Sequence, residues 1–243
     1  VNPITNITFT TANWNSAQVV LVNAVNDNMV EGAHIQNITH TATSSDSNYN
    51  GIAVASIPVN ITDNDIAGAT ITQSGGATNI TESGGNDTYT IVLNTQPSSN
   101  VTIAFGVGTQ VSAITNLTFT NANWNTPQIV TVTAVNDDIA EGAHTQSITH
   151  TATSGDANYN GISIANITAN ISDNDSVGVT ITENGGSTSI TEGGSSDTYT
   201  VVLNTQPTAN VTISFGVGTQ VSAISNLTFT NANWNTAQTV TVR

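Results

Sequence analysis

Sixteen carboxylates share this chain with a single permanent cation, Arg243, and the formal net charge is −15. Ion pairing therefore leaves nearly all of these acids alone, and each must be solvated or bound to a metal ion. Their placement narrows the choice. Fourteen of the sixteen form pairs 110 residues apart: Asp27 with Asp137, Glu31 with Glu141, Asp46 with Asp156, Asp63 with Asp173, Asp65 with Asp175, Glu82 with Glu192 and Asp87 with Asp197. Asp138 and Glu183 stand opposite Asn28 and Gln73 instead. Carboxylates from separate loops, with asparagines and backbone carbonyls among them, supply the roughly 6–8 oxygen ligands that a hard cation such as calcium takes. The chain has no cysteine, which disfavours zinc and iron–sulfur sites. The competing reading is a set of solvated acids chosen for turn geometry. Against it, like charges gathered at one end of a fold repel unless a cation lies among them.

Other chemistry is less well supported. Nucleic acid is an implausible partner, because counterion-releasing contacts need lysine and arginine, and anionic membrane surfaces are disfavoured for the same reason. No apolar run nears the length of a bilayer span, so no membrane insertion is expected in this segment. Hydrophobic residues make up 37% and charged residues 7%, which fits neither a membrane protein nor a charge-rich disordered chain. No signal peptide is visible, and Val1 suggests a window on a longer chain. The histidines, His34 with His144 and His40 with His150, read as packed or surface-strand residues rather than ligands or acid–base groups. No nucleophile elbow or phosphate loop occurs. Carboxylate pairs also serve glycosidases, but acids repeated in every unit of an array argue for architecture, not a single active site. Trp14, Trp124 and Trp234 are one position seen three times, read as core or junction packing before sugar platforms. Tyr49 and Tyr159, each ahead of Asn-Gly, are placed for a tyrosine-corner-like hydrogen bond. The twelve Asn-x-Ser/Thr sequons follow mostly from composition.

The elements that must hold these acids are strands. Over residues 89–110 against 199–220, 18 of 22 residues are identical, which marks a tandem duplication with one small domain per step. Alternation is the dominant pattern: Tyr199, Val201 and Leu203 share a face, as do Val211, Ile213 and Phe215. Leu117 and Phe119, then Val130, Val132 and Ala134, then Ile148 and His150, continue it. Ile162 and Ile164 precede Ile167, Ala169 and Ile171, and that set runs into Asp173-Asn174-Asp175. Turn residues separate the runs at Gly185-Gly186, Gly193-Gly194, Asn204 to Pro207 and Asn160-Gly161. About seven short strands per step indicates an all-β fold of tandem antiparallel Greek-key β-sandwich domains. The expected division is the back part of one sandwich (1–66), a complete one (67–176) and the front of a third (177–243). Tyr89, Val92 or its neighbour Ile91, Leu93, Phe119, Trp124, Val130, Val132 and Ile171 are the expected core, with Ile91 and Leu93 pointing inward beside Tyr89 by strand alternation. Only a residue or two is expected between Asp175 and the next strand, near Val177 and Val179.

Three motifs carry a family resemblance. Ile190-Thr191-Glu192-Gly193-Gly194, the run Val135-Asn136-Asp137-Asp138-Ile139-Ala140-Glu141-Gly142 and the ending Ile171-Ser172-Asp173-Asn174-Asp175 resemble the Calx-β repeat. That family forms seven-stranded sandwiches and occurs in sodium/calcium exchangers, integrin β4 and many bacterial surface proteins. The Thr/Asn-rich flavour around Phe119 to Asn125 is most similar to repeats of very long secreted bacterial proteins. The resemblance implies calcium ligands at Glu82, Asp137, Asp138, Glu141, Asp173 and Asp175, with counterparts at Asp27, Glu31, Asp63, Asp65 and Glu192. One departure stands out: residues 105–110 (Phe-Gly-Val-Gly-Thr-Gln) hold no carboxylate where calcium-sensing members have an Asp. One or two structural ions are therefore expected rather than a four-ion cluster.

These readings converge on a structural, non-enzymatic segment, extracellular or at a cell surface. Its partners would be neighbouring repeats of the same chain or identical chains in a filament, with calcium stiffening the junctions. The alternative is an adhesion module whose exposed loops grip a surface glycan or protein. Aromatics exposed on one loop face would favour that alternative.

Overall fold

A computed structural model describes residues 4–243. Its regular elements are strands, apart from two three-residue 3-10 turns, Ser74–Gly76 and Asn184–Gly186. Among the described residues no helix is long and apolar enough to cross a membrane. In the first third, β1 (His34–Ile38) and β2 (Ile57–Ile61) form an antiparallel pair. The middle third begins with β3 (Ala69–Gln73), β4 (Thr78–Thr81), β5 (Asn86–Leu93) and β6 (Val101–Gly106). It continues with β7 (Leu117–Phe119), β8 (Gln128–Thr133), β9 (His144–Ser154) and β10 (Ile167–Ser172). The last third holds β11 (Val179–Glu183), β12 (Asp197–Leu203), β13 (Val211–Ile213), β14 (Leu227–Phe229) and β15 (Gln238–Val242).

The middle third is a two-sheet sandwich. One sheet has the order β3-β5-β8 and the other β4-β10-β9-β6-β7. Strand alternation aims Tyr89, Ile91 and Leu93 inward from β5 with Val130 and Val132 from β8, each no more than 2% exposed. Val101, Ile103, Phe119, Ile148, Ala169 and Ile171 meet them from the other sheet. Each large apolar side chain so buried contributes about 1.5–3 kcal/mol relative to exposure. Val92 takes the half-buried position beside Ile91, and Trp124 is half-buried, packed on the core rather than within it.

Two details differ from the sequence expectation. Eight strand segments occur where about seven were expected, and one pairing is parallel. Both have one cause. The first strand divides at Ser74–Gly76, where Gly75 and Gly76 take φ of 64° and 82°, a left-handed conformation that glycine adopts without penalty. That break lets β3 pair with β5 while β4 crosses to the other sheet and lies parallel to β10. The next strand, β11, starts at Val179, at the expected place, with three residues, 176–178, after Asp175 where one or two were expected. Ile162 and Ile164 lie outside any strand, although Ile164 is buried.

Two polar groups inside the core are fully engaged. The Tyr159 hydroxyl donates to the Thr95 carbonyl at 2.7 Å and accepts from the Thr95 N–H at 3.0 Å, which is the corner-like bond expected of it. His150 donates from Nδ1 to the Ala165 carbonyl at 2.8 Å, which leaves Nε2 to accept the Tyr89 hydroxyl at 2.8 Å. Phe105 and Tyr89 set ring edges against the same imidazole. Burial pushes His150 below the ordinary imidazole value and Tyr89 above the ordinary phenol value.

Candidate metal centre

Strand register brings the acids together. The parallel pairing of β4 with β10 sets Thr81 opposite Ser172, so the next residues, Glu82 and Asp173, emerge side by side. The Glu82 N–H bonds the Ser172 carbonyl at 3.1 Å and fixes that contact. The antiparallel pairing of β10 with β9 sets Ile171 opposite His144, which delivers the Glu141-Gly142 turn to the same edge. Beyond β8, the Val135 N–H bonds the Gln110 carbonyl at 3.0 Å and carries Asp137 and Gln110 to that end too.

Glycine shapes the turn between them. Gly142 has φ of 71°, and its N–H bonds Asp173 Oδ2 at 2.6 Å while its carbonyl accepts from His144 Nδ1 at 2.8 Å. The other Asp173 oxygen accepts the Asp175 N–H at 2.8 Å. These backbone donors hold the Asp173 carboxyl below the usual range. Asp173 is thus occupied in bracing the turn. Asp137 braces its own loop by accepting the Ile139 N–H at 2.8 Å.

At the middle of this end lies Glu82, 3% exposed, with neither carboxylate oxygen hydrogen-bonded. Asp175 Oδ2, Gln110 Oε1 and His144 Nε2 are likewise buried without partners. Two overlapping groups bring ligand atoms within 4.8 Å of one another: Glu82 with Asp137 and Asp175, and Glu82 with Glu141 and His144. Burial first, then the charges of Asp173 and Asp137, raises the Glu82 carboxyl; burial and the charges of Asp173, Asp138 and Asp137 raise Asp175. An unpartnered buried carboxylate is expensive, and the three other unpartnered atoms, on Asp175, Gln110 and His144, share with it one remedy, a cation. His144 fits this reading. With Nδ1–H committed to Gly142, Nε2 presents either a lone pair to a metal or a proton to Glu141, 3.5 Å away.

The sequence-derived candidates divide accordingly. Glu82, Asp137, Glu141 and Asp175 converge; Asp173 borders them as a brace. Asp138 enters neither ligand group, and its backbone carbonyl instead accepts the Gln206 N–H of the last third at 2.7 Å. In the first third, Asp63 accepts the N–H groups of Glu31, Gly32 and Asp65, and Asp27 that of Met29. Asp27, Glu31 and Asp65 stand there without a Glu82 equivalent. Glu192, which occupies that position in the last third, is exposed. Sequence reasoning passed over His144 and Gln110. The signal for the histidine was its pairing with His34 at the acidic step, three residues beyond Glu141. Gln110 fills the loop that lacks an acid: its Nε2 donates to Glu141 at 3.0 Å and its Oε1 is free to bind a cation.

No protein-family model matches the chain, and no curated protein matches it. Among solved structures it is similar to an apo-form Calx CBD1 domain, at 16% identity and a TM-score of 0.33, over 44% of this chain and 98% of that one. It is also similar to CBD12 from CALX1.2, at 14% identity and 0.34, over 70% of this chain and 73% of that one. The calcium-binding domain CBD12 of CALX1.1 gives 16% identity and 0.32, over 71% and 74%. All three carry the Calx name of the family that the sequence motifs resemble. The sandwich itself rests on the strand pairing described above.

Proposed function

We propose that this chain is a structural array of tandem sandwiches, divided at 67 and 177, that binds calcium at the strand-end loops and uses it to stiffen the junctions. The carrying observation is Glu82, buried and unpartnered among Asp137, Asp175, Glu141 and His144. Calcium suits this set because oxygen donors dominate, with a Gln carbonyl among them. The ligand loop is also the junction loop: Asp138 bonds Gln206 of the following unit, and Asn28 bonds Gln96 in the same way at 2.7 Å. An ion that fixes residues 137–141 therefore fixes a contact between neighbouring units. The setting we infer is extracellular or at a cell surface, with neighbouring repeats or identical chains as partners.

The adhesive alternative has less behind it. Within residues 67–176 Ile129 alone is a strongly exposed large hydrophobic residue, so no aromatic loop face offers a sugar or protein platform there. Nor is catalysis part of the reading, since the acids serve a cation and brace turns. Calcium titration by calorimetry on the full chain, against Glu82→Gln, tests the proposal. Saturable binding lost in the variant supports it; equal heats in both chains, or none, refute it.

A further inference from the structure

Calcium accounts for the oxygens at this edge but not for the nitrogen among them. His144 Nε2 is buried without a hydrogen-bond partner. Hard calcium takes oxygen ligands, whereas imidazole suits zinc. A chain without cysteine can still hold zinc, through histidine and carboxylate. Local geometry prepares the ring for that. Gly142, with φ of 71°, turns the chain so that the side chains of Glu141 and His144 meet. The Gly142 carbonyl lies 2.8 Å from Nδ1 and can only accept, so Nδ1 carries the proton and Nε2 the lone pair. A ring held in this way is the usual arrangement of a histidine that binds a metal. Glu141 is braced as well, one oxygen accepting Gln110 Nε2 at 3.0 Å. Its other oxygen lies 3.5 Å from His144 Nε2, against roughly 3.3 Å between two ligands of a tetrahedral zinc ion. Glu82, 3% exposed and unpartnered at both oxygens, completes this group, with all ligand atoms within 4.8 Å of one another.

We propose that this edge holds two cations of different class: calcium between Asp137 and Asp175, and a borderline dication of the zinc class between Glu141 and His144. Glu82 serves both. Each of the two ligand groups includes it, and a carboxylate with two free oxygens can give one to each ion. Charge favours the pair. Four carboxylates converge here, Glu82, Asp137, Glu141 and Asp175, so one dication leaves two negative charges over and two dications balance all four. The pairing of ions rests on the calcium reading above; the zinc position alone does not. The same Glu-Gly-Ala-His sequence occurs at residues 31–34. There the Gly32 carbonyl lies 2.9 Å from His34 Nδ1, and His34 Nε2 lies 3.7 Å from Glu31. The turn therefore presents the histidine and one carboxylate by itself, and in the middle sandwich Glu82 adds the third ligand.

Zinc binding to the full chain, measured by calorimetry in excess calcium, tests this, with cobalt as a spectroscopic stand-in for zinc. One zinc per chain should bind without being displaced by calcium. Bound cobalt should show the visible bands of a low-coordinate site containing nitrogen. His144→Gln should weaken zinc binding by more than the roughly 10–100-fold that loss of a ligand's supporting partner costs. His34→Gln should leave it unchanged. Melting in chelator reports whether each variant is folded, and the competition between ions on the parent chain needs no variant. Zinc that calcium displaces one for one marks a single shared position and overturns the pair. No zinc uptake, or an affinity that His144→Gln leaves unchanged, overturns the histidine site. Calcium heats without zinc uptake sink this inference and leave the calcium reading standing. Zinc uptake without calcium heats removes the calcium reading and the pairing, and keeps the zinc position.

Discussion

Residues 27–65 and 137–175 carry nearly the same loops, and their local bonds form in both. Asp63 holds the Gly32 N–H at 2.8 Å and Gly32 accepts from His34 at 2.9 Å, as Asp173, Gly142 and His144 do one step later. Everything that depends on distant residues differs. Tyr159 is fully buried and bonded to Thr95, while Tyr49 is mostly exposed; His150 is wedged between Tyr89 and Phe105, while His40 is exposed. The loops are therefore encoded locally, by Asx-type bonds and a left-handed glycine. Burial and the convergence of the acids come only when a front half supplies Glu82, Gln110 and the facing sheet.

The largest expected break of this contrast lies in the core. Phe119→Ala should destabilise the middle sandwich by about 3–5 kcal/mol, the usual range for a fully buried aromatic. Phe9→Ala, at the counterpart position that is 53% exposed, should leave the main unfolding transition unmoved. Denaturant melts of both variants measure this directly, and equal losses would erase the distinction between the two regions.

Calcium comes next. A ligand at about a hundredfold its dissociation constant adds about 2.7 kcal/mol to the state that binds it, which moves the midpoint of a domain this size by roughly ten degrees. Melting in calcium and in chelator should differ by that order in the parent chain, and Glu82→Gln should lose most of the difference. In chelator the same variant should melt no lower than the parent, because it removes an unpartnered buried charge. Glu31→Gln, in the region without a front half, should change neither curve.

Much of this was legible in the sequence. Period-2 alternation located the strands and put Tyr89, Ile91 and Leu93 on one buried face. The acidic pairs pointed to the edge where Glu82, Asp137 and Asp175 come together. The division of the first strand escaped, because Ser-Gly-Gly reads as an ordinary turn and only the positive φ of two successive glycines shows a switch between sheets. His144 escaped because a histidine in a Thr-rich strand carries no sign of which ring nitrogen is committed. Asp173 and Asp175 look equivalent in Asp-Asn-Asp; backbone donors make the first a brace and leave the second unpartnered.

Tyrosine provides a smaller test of the same contrast. Tyr159→Phe leaves the Thr95 N–H and carbonyl without their buried partner, a loss of about 1–3 kcal/mol. Tyr49→Phe should be silent. If both variants melt like the parent, the corner bond is ornamental in each region.

The weaker pH effect concerns His150. Its folded-state pKa lies below the ordinary 6.5, chiefly through burial, so the unfolded chain takes up a proton before the native one does. Stability should be full above pH 6.5 and decline as pH falls below it, down to the lowered folded value. Imidazolium would also lose Nε2 as an acceptor for Tyr89. His150→Gln should flatten that decline, whereas His40→Gln should not alter it. Chelator in every sample keeps the metal site out of the comparison, and a slope that survives His150→Gln assigns it to the carboxylates.

The smallest expected effect is that of Asp138→Asn, and it separates two kinds of contribution to the metal edge. Asp138 presents its backbone carbonyl to Gln206 and its charge to Asp175, but belongs to neither ligand group. Asparagine keeps the backbone and removes the charge, and Asn28 holds the equivalent carbonyl contact to Gln96 at the same 2.7 Å. The junction should therefore survive, while Asp175, relieved of one neighbouring charge, titrates slightly lower. Calcium affinity should fall less than tenfold, a difference below about 1.4 kcal/mol, in the same titration that Glu82→Gln abolishes. A loss as deep as that of Glu82→Gln would make Asp138 a ligand and move the centre of the site toward the junction loop.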